Sequence, residues 1–554
     1  MVTPNEPPPP IVKPEVALLE DLFGEITAGK LRIPRFQRPF VWRPEDMLAV
    51  FDSIRRGYPI GNLLLWDTTE PVQSLDRFGP LDLRRPETSP VTYVLDGQQR
   101  LSTLFGALRL PLDFPRDAQL HNWRWWIFYD LRTHEFVHVP NKEPAAHLFP
   151  LRAMLRTMDF LQVSRAVVEK LPQEADALVA EAEGIAQKIK SYKLAVTRIQ
   201  GGTLEQAVDI FSRLNTKGQS MTPDQMFAAL TYREGEDAFH LADRIDRIQE
   251  QLAGYHFEGL ARSAIFRAIV AAASADVHST DWAHLAKTLH DALPATVEAA
   301  EAGLLRAAHF LLEEVGVPGD KLLPYANQMV LLGEFFHRKP EPDVDDKWLL
   351  RRWFWATSFS GWFAGANTTQ INDALDEMRL LARGDLSTLV GEWFSGPTRP
   401  YPQRFVLNSA RVRTLLLTTL FCRLSPLDTT GEPLDARRLL WEQEKSYLAF
   451  RHVFPAGSGA LASNPANRVL LPIIPGKAAR AQLLAIPDSV RDRVLESHGI
   501  PLQAFEALQR NDRLGFIEAR AAHLAQIERA FLSELRLPLP AQEVGEAEVD
   551  TDGD

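Results

Sequence analysis

The chain has 554 residues, 45% of them hydrophobic and 24% charged, with a formal net charge of −11. This is the balance of a globular protein that builds large cores unaided, and the single cysteine, Cys422, excludes an internal disulfide and a cysteine zinc cluster. No apolar run approaches the length of a membrane span, and the mildly acidic body does not advertise nucleic-acid binding, although it leaves room for a local basic groove. Residues 1–14 (MVTPNEPPPPIVKP) are proline-rich and lack the apolar core of a signal peptide, so a reducing, cytoplasmic location is expected. Residues 15–30 (EVALLEDLFGEITAGK) predict a short amphipathic helix, 31–42 an extended segment interrupted by Pro34 and Pro39, and 43–57 a helix with Pro44 in its first turn. "NLLLW" (62–66) and "TYVL" (92–95) read as buried strands, and Leu101, Leu104, Phe105 and Leu108 repeat at helical spacing behind them. "WRWWIFYDLRTHEFVHV" (123–139) reads as an aromatic hairpin. Residues 203–214 and 223–232 read as two helices around "NTKGQSMT", the second with a capping box from Thr222 to Gln225. From about 235 to 450 the pattern is helical, and a last unit opens near 445. The final fourteen residues hold six acids and no base and read as a disordered tail.

Four segments carry candidate chemistry. In "TYVLDGQQRLSTLFGALR" (92–109) a strand runs into Asp96-Gly97-Gln98-Gln99-Arg100 and a helix follows at once. A helix start gathers backbone N–H groups and the positive end of a dipole, Gly97 lets a ligand approach, and Arg100 has the fork that fits a phosphate. Asp96 can hold a metal ion, orient a water or anchor a ribose hydroxyl. A capped, solvated turn with Arg100 in a surface ion pair satisfies the same residues. In "IPRFQRPFVW" (33–42), Arg35, Gln37 and Arg38 alternate with Phe36, Phe40 and Trp42, a pattern suited to backbone contact and base stacking. The competing reading places the aromatics in the core with the arginines extended to solvent. Lys217, in the turn with Asn215 and Gly218, is within reach of a phosphate or simply follows a helix C-cap. No G-x-x-x-x-G-K-[ST] sequence occurs, so nucleotide chemistry in this chain is not P-loop chemistry. Finally, His452 in "AFRHVFP" and Asn467 in "NPANRVLL" outline a ββα-metal nuclease, although a lone histidine is commonly structural.

Taken together, "IPRFQRPFVWRPEDMLAVFDSIRRGYPIGNLLLW", "YVLDGQQRLSTLFGAL", "IFSRLNTKGQSMTPDQMFAALTY" and "RRWFWATSFSGWFAGANTTQINDAL" resemble the GmrSD-type restriction family over about residues 15–375. The resemblance implies a fold like that of partition ParB proteins and sulfiredoxin, NTP hydrolysis, and defence against phage DNA with modified bases or backbones. It places Asp96, Gly97, Gln98, Gln99 and Arg100 in a nucleotide site with NTP and Mg²⁺ as cofactors, and it matches Gln37 and Arg38 to the family's other signature, with Phe36 where a tyrosine is common. Many relatives end in an HNH nuclease, and "RHVFP…NPANRVLLP" resembles its start. Arg451 stands where a metal-binding acid or histidine is expected, and Ile473, Ile474, Pro475 and Gly476 follow where a third ligand is expected. A nuclease of that type needs those ligands to offset phosphorane charge, so the module reads as degenerate.

The expectation is therefore an α+β protein. Residues 1–14 are disordered, 15–235 form a ParB/sulfiredoxin-like nucleotide- and DNA-sensing domain, 236–440 a helical domain, 441–540 a small HNH-like α+β domain, and 541–554 an acidic tail. Asp96, Arg100 and His452 are the candidate catalytic residues. Asp96, Gly97, Gln98, Gln99, Arg100 and Lys217 are expected at nucleotide, Arg35, Gln37 and Arg38 at DNA, and Asn467 at a metal ion. Alternatives are a non-catalytic DNA-binding partner of a separate nuclease, or an NTP-regulated HNH endonuclease. No membrane partner is expected, and a homo-oligomer and a separate defence-system partner are left open.

Overall fold

A computed structural model of the chain describes residues 9–37, 40–70, 72–83, 89–111, 113–117, 121–140, 143–214, 223–231, 239–278, 282–385, 393, 396–442, 446–455 and 460–540. Arg38, and the turn holding Asn215, Lys217, Gly218 and Thr222, lie outside the described residues. The chain divides into two compact units, one of residues 1–242 with 282–287, the other of 243–281 with 288–554. The segment expected as a separate C-terminal domain thus belongs to the same unit as most of the helical middle.

The first unit is built on a mixed five-stranded sheet. Its strands are β1 (Ile11–Leu18), β2 (Leu31–Arg32), β3 (Leu63–Thr68), β6 (Val91–Asp96) and β10 (Lys193–Gln200), in the order β1-β10-β3-β6-β2. β10 runs parallel to β3, β6 antiparallel to β3, and β2 parallel to β6. The opening element corrects the expectation of a helix over 15–30. β1 pairs antiparallel with β10 along its whole length, from Ile11↔Gln200 to Leu18↔Lys193, and helix α1 (Leu19–Thr27) begins only after it. An edge strand tolerates Pro14 and, being largely exposed, shows no apolar face for a sequence pattern to reveal. What ties it down is polar. Arg198 of β10 binds Glu15 of β1 at 2.7 Å, Glu25 of α1 at 2.9 Å and Asp67 of β3 at 3.1 Å.

Leu19, Leu22, Phe23 and Ile26 of α1 are buried at i, i+3, i+4 and i+7, which fixes the helix face that packs into the core. Helix α2 (Pro44–Arg56) buries Met47, Val50, Phe51 and Ile54. Pro44 suits its first turn, the Asp46 carboxylate accepts from the Arg43 N–H, and Gly57 closes it in the left-handed conformation. A two-stranded ribbon, β4 (Arg77–Phe78) and β5 (Leu81–Asp82), precedes β6, and helix α3 (Gln98–Leu108) follows β6 after one residue. The expected hairpin is present as β7 (Ile127–Asp130) and β8 (Glu135–His138), and β9 (Leu148–Pro150) adds a third antiparallel strand on the other side of β7. Helices α4 (Thr157–Lys170) and α5 (Ala175–Lys190) complete the unit before β10, and α6 (Leu204–Leu214) and α7 (Pro223–Leu230) follow it.

The second unit is predominantly helical, with a ribbon of β11 (Phe450–His452) against β12 (Arg468–Leu470). Two buried arginines stand out in it. Arg411 makes a bidentate pair with Glu528, 2.8 and 2.6 Å, with both side chains almost fully buried. Arg520, on the long helix Arg513–Glu534, has no such carboxylate among the described residues; it donates to the carbonyls of Ala466, Arg468 and His498 at 2.7, 2.6 and 2.9 Å. His498 is itself buried, with Nε2 2.8 Å from the Leu427 carbonyl.

Burial, and less strongly the Arg520 charge, push the His498 imidazole down to about 4 from its ordinary 6.5. Between those values the unfolded chain binds a proton that the native state refuses, so this contribution is complete above pH 6.5 and is lost as the pH falls toward 4. It amounts to about 3 kcal/mol at 1.36 kcal/mol per pKa unit. Urea unfolding of the second unit at pH 7.5 and 4.5 is expected to show this loss in the wild type and a smaller one, by about that amount, in His498→Gln.

Candidate nucleotide-binding turn and its surroundings

Asp96 ends β6, opposite Leu64 of β3 where the register shifts by a bulge. Gly97 follows with φ +88° and ψ 12°, a left-handed conformation that turns the chain directly into α3. A Cβ at Gly97 would also run into Leu63 Cδ2, so glycine is required by both backbone and packing. Helix α3 then starts with no side-chain cap. Gln98, its first residue, is largely buried. An uncapped helix start presents N–H groups to an anion.

Arg100 departs from its expected role. Its Nη1 donates to the Ile60 carbonyl at 2.8 Å, and its Nη2 to the Asn62 carbonyl and to Asp96 Oδ2, both at 3.0 Å. The fork expected to receive a phosphate is thus occupied by the loop that leads into β3. Gly61, in the middle of that loop, has φ +91°, and a Cβ there would collide with the Arg100 guanidinium. Tyr192 fastens the same loop by donating its hydroxyl to the Tyr58 carbonyl at 2.7 Å and accepting from the Ile60 N–H at 3.2 Å. Asp96, paired with Arg100, is the only carboxylate of the DGQQR turn. A divalent ion would compete with a guanidinium for it, so these residues do not fit a Mg²⁺ site of the protein's own.

The extended 33–42 segment converges on the same place. Gln37 is buried and donates its amide to the Leu95 carbonyl at 2.8 Å, at the end of β6. Gln37, expected at DNA, has its amide turned inward onto the sheet. Gln99 is buried as well, and its Oε1 accepts from the N–H groups of Val41 and Trp42 at 2.9 and 3.3 Å. The two glutamine signatures are reciprocal staples between the segments. Phe36 is core, Arg35 is exposed, and Phe40 is half-buried.

In the second unit His452 lies on β11 opposite Arg468, half-buried. Burial lowers its pKa, and the charges of Arg468 and Arg513 lower it further. Asn467, expected at a metal ion, faces the interior. It is fully buried; its Oδ1 accepts from the Phe454 N–H at 2.9 Å and its Nδ2 donates to the carbonyls of Phe454 and Ala462, both at 3.2 Å. Its amide is thus engaged on both sides by backbone. Arg451 donates to the carbonyls of Pro472 and Lys477, fastening the loop in which a third ligand was expected. Among the described residues no group of three or more His, Cys, Asp and Glu side chains is placed to hold a metal ion.

Residues 19–232 match the sequence model of the GmrSD restriction endonuclease, N-terminal domain. The first unit carries a GmrSD-type N-terminal domain. An uncharacterized protein of Methanocaldococcus jannaschii is 23% identical over 403 residues, a match that covers 64% of this chain and 65% of the relative. The chain therefore spans about two thirds of the length of that relative. Among the described residues no helix is long and apolar enough to cross a membrane. Within the GmrSD-type domain, the partners missed in the sequence are Ile60 and Asn62, which act through backbone carbonyls and so leave no side-chain signal. Gly61, between a turn and a buried strand, is the legible trace of that contact.

Gly97→Ala is expected to destabilise the first unit by about 1 kcal/mol for the left-handed conformation alone, and by more once Leu63 has to move. Gln37→Leu is expected to cost about 1–2 kcal/mol, since it leaves the Leu95 carbonyl without this donor. Denaturant melts of both variants check this. A Gln37→Leu protein of wild-type stability would show that the bond to Leu95 does not support the fold.

Proposed function

We propose that this chain is a restriction-type defence protein whose GmrSD-type domain binds and hydrolyses a nucleoside triphosphate at the start of α3 and senses DNA. The observation that carries the nucleotide reading is the uncapped helix start after a left-handed glycine. The N–H groups of the first turn would hold phosphate oxygens at the positive end of the helix dipole. Asp96, fixed by Arg100 at 3.0 Å, is the group available to orient an attacking water. Arg100 serves this site as a positioning residue, keeping the 57–62 loop and Asp96 in register. Lys217 remains a proposed phosphate contact. DNA as the sensed ligand is supported by the restriction endonuclease family whose N-terminal domain matches residues 19–232. Modified phage DNA is the proposed form of it.

A second reading, that the chain is a non-catalytic DNA-binding partner of a separate nuclease, is favoured by one specific feature: the Arg100 fork is filled by protein carbonyls. The inward-facing Asn467 favours a C-terminal module that does not cleave DNA through a bound metal. His452, half-buried and neighboured by arginines, would then act as a surface group of that module rather than as a general base.

The deciding experiment measures hydrolysis of the four NTPs by purified protein, with and without DNA. Asp96→Asn is expected to lose turnover by about 100-fold while retaining nucleotide binding, as for a group that orients the nucleophile. Arg100→Ala is expected to lose binding and thermal stability together. Absence of turnover by the wild type with all four nucleotides, in the presence and absence of DNA, would reject hydrolysis and leave the second reading. Plasmid nicking that depends on added Mg²⁺ or Mn²⁺ and disappears in His452→Ala would show the C-terminal module to be a live nuclease.

A further inference from the structure

The GmrSD-type domain contains a second cation whose surroundings differ from those of Arg100. Arg124 lies on the turn of helix over Asn122–Trp125 that leads into β7. Its guanidinium carbon sits 5.7 Å from the Phe40 ring centre and 5.9 Å from that of Trp125, and those two rings are 4.8 Å apart at 44°. Its side chain has no hydrogen bond or ion pair among the described residues, and Nε is buried without a partner. Burial lowers its pKa, and no acid among the described residues offsets that effect. A partly desolvated guanidinium resting on two aromatic faces keeps its outward donors for something else.

The mounting is rigid and leads back to the candidate site. Trp125 is buried and packs directly on Gly106 of α3, where any Cβ would collide with the indole. Phe40 stands one residue before the Val41 and Trp42 N–H groups that Gln99 holds from the first turn of α3. Both rings under Arg124 are thus indexed to one helix, at its start and near its end. Beside them Val41 is 54% exposed and Arg43 projects into solvent, so the surface offers a cation, an apolar side chain and a second basic residue in succession.

We propose that Arg124, stacked on Phe40 and Trp125, is a phosphate contact for a DNA strand crossing the 40–43 segment. The proposal rests on the DNA-sensing reading above and adds the residue that makes the contact. A polynucleotide fits better than a free nucleotide because the cation is joined to an exposed segment rather than to the helix start. Stacked arginine and aromatic groups are also the combination that grips a backbone irrespective of sequence.

The test is a fluorescence-anisotropy titration of a labelled DNA duplex with full-length wild type, Arg124→Met and Arg124→Lys, at salt from about 50 to 200 mM. Arg124→Met, which keeps the apolar stem over the rings, is expected to weaken binding about tenfold, the effect of one lost charge-assisted contact. Its log Kd against log salt should lose about 0.9 of slope, the value for one phosphate. Arg124→Lys should recover most of the slope. Thermal melts equal to wild type keep a folding defect from imitating the result. Wild-type affinity and slope in Arg124→Met would overturn the proposal while leaving the DNA-sensing reading intact. Absence of duplex binding by the wild type at any salt would overturn both. A loss confined to binding of a labelled mononucleotide, with the duplex slope unchanged, would assign Arg124 to the nucleotide's phosphates and also overturn it.

Discussion

The Arg100 guanidinium is the fastening on which the β3–β6–α3 end of the first unit depends. It joins the last residue of β6, through Asp96, to the loop entering β3, through two carbonyls. Antiparallel neighbours need no such clamp along their ladder, but between Leu64 and Leu65 the register shifts by a bulge, and there the pairing is weakest. Both glycines that face the guanidinium, Gly61 and Gly97, have positive φ, so backbone and side chain accommodate each other. Once that end is closed, α3 starts in a fixed position. Gln99 can then hold the 41–42 backbone, Gln37 can hold β6, and Trp125 can close on Gly106. The arrangement places the uncapped start of α3 on rigid supports rather than on loops.

This clamp explains which parts of the site the sequence could disclose. The strand–turn–helix around DGQQR, the amphipathic helices and the aromatic hairpin announce themselves through side-chain periodicity, and they are present. The roles of Gln37, Gln99 and Arg100 were not legible, because each acts on backbone groups far away in sequence, and no spacing rule relates a side chain to a distant carbonyl. The same residue types in the same order suit a phosphate or a carbonyl equally well, since both offer oxygen lone pairs. Edge strand β1 is hidden for a different reason. Its register is set by β10 and its polar tie by Arg198, so the apolar pattern that predicts helix α1 simply continues backward into residues that are not helical.

In the second unit, arginines hold the backbone around the β11–β12 ribbon. Arg451 and Arg520 direct their donors to carbonyls of the ribbon and the segments that flank it. Arg468, in the ribbon itself, donates to the Phe450 carbonyl across the strands. Each such bond to a charged donor contributes about 1.5–3 kcal/mol, so the loops around His452 and Asn467 are held by cations from within. A divalent ion entering this region would meet positive charge and an asparagine already engaged by backbone, and the repulsion acts before any geometry is considered.

Where an arginine's donors go therefore separates support from recognition. Arg520 directs its terminal donors to three carbonyls, and Arg100 directs its own to two carbonyls and a carboxylate; removing either leaves unsatisfied protein groups, so stability is what each supplies first. Arg124 directs none to an acceptor within the described residues and rests on two rings that hold it without satisfying it. Removing it would strand no described protein acceptor, and the cation–π contact it forfeits is worth only about 0.5–1 kcal/mol at a site that is partly exposed. A residue that contributes so little to the fold, yet is held so firmly by α3, is free to direct its charge to a ligand. The motif arginine that first draws attention in the sequence is, by the same reasoning, committed to the protein itself.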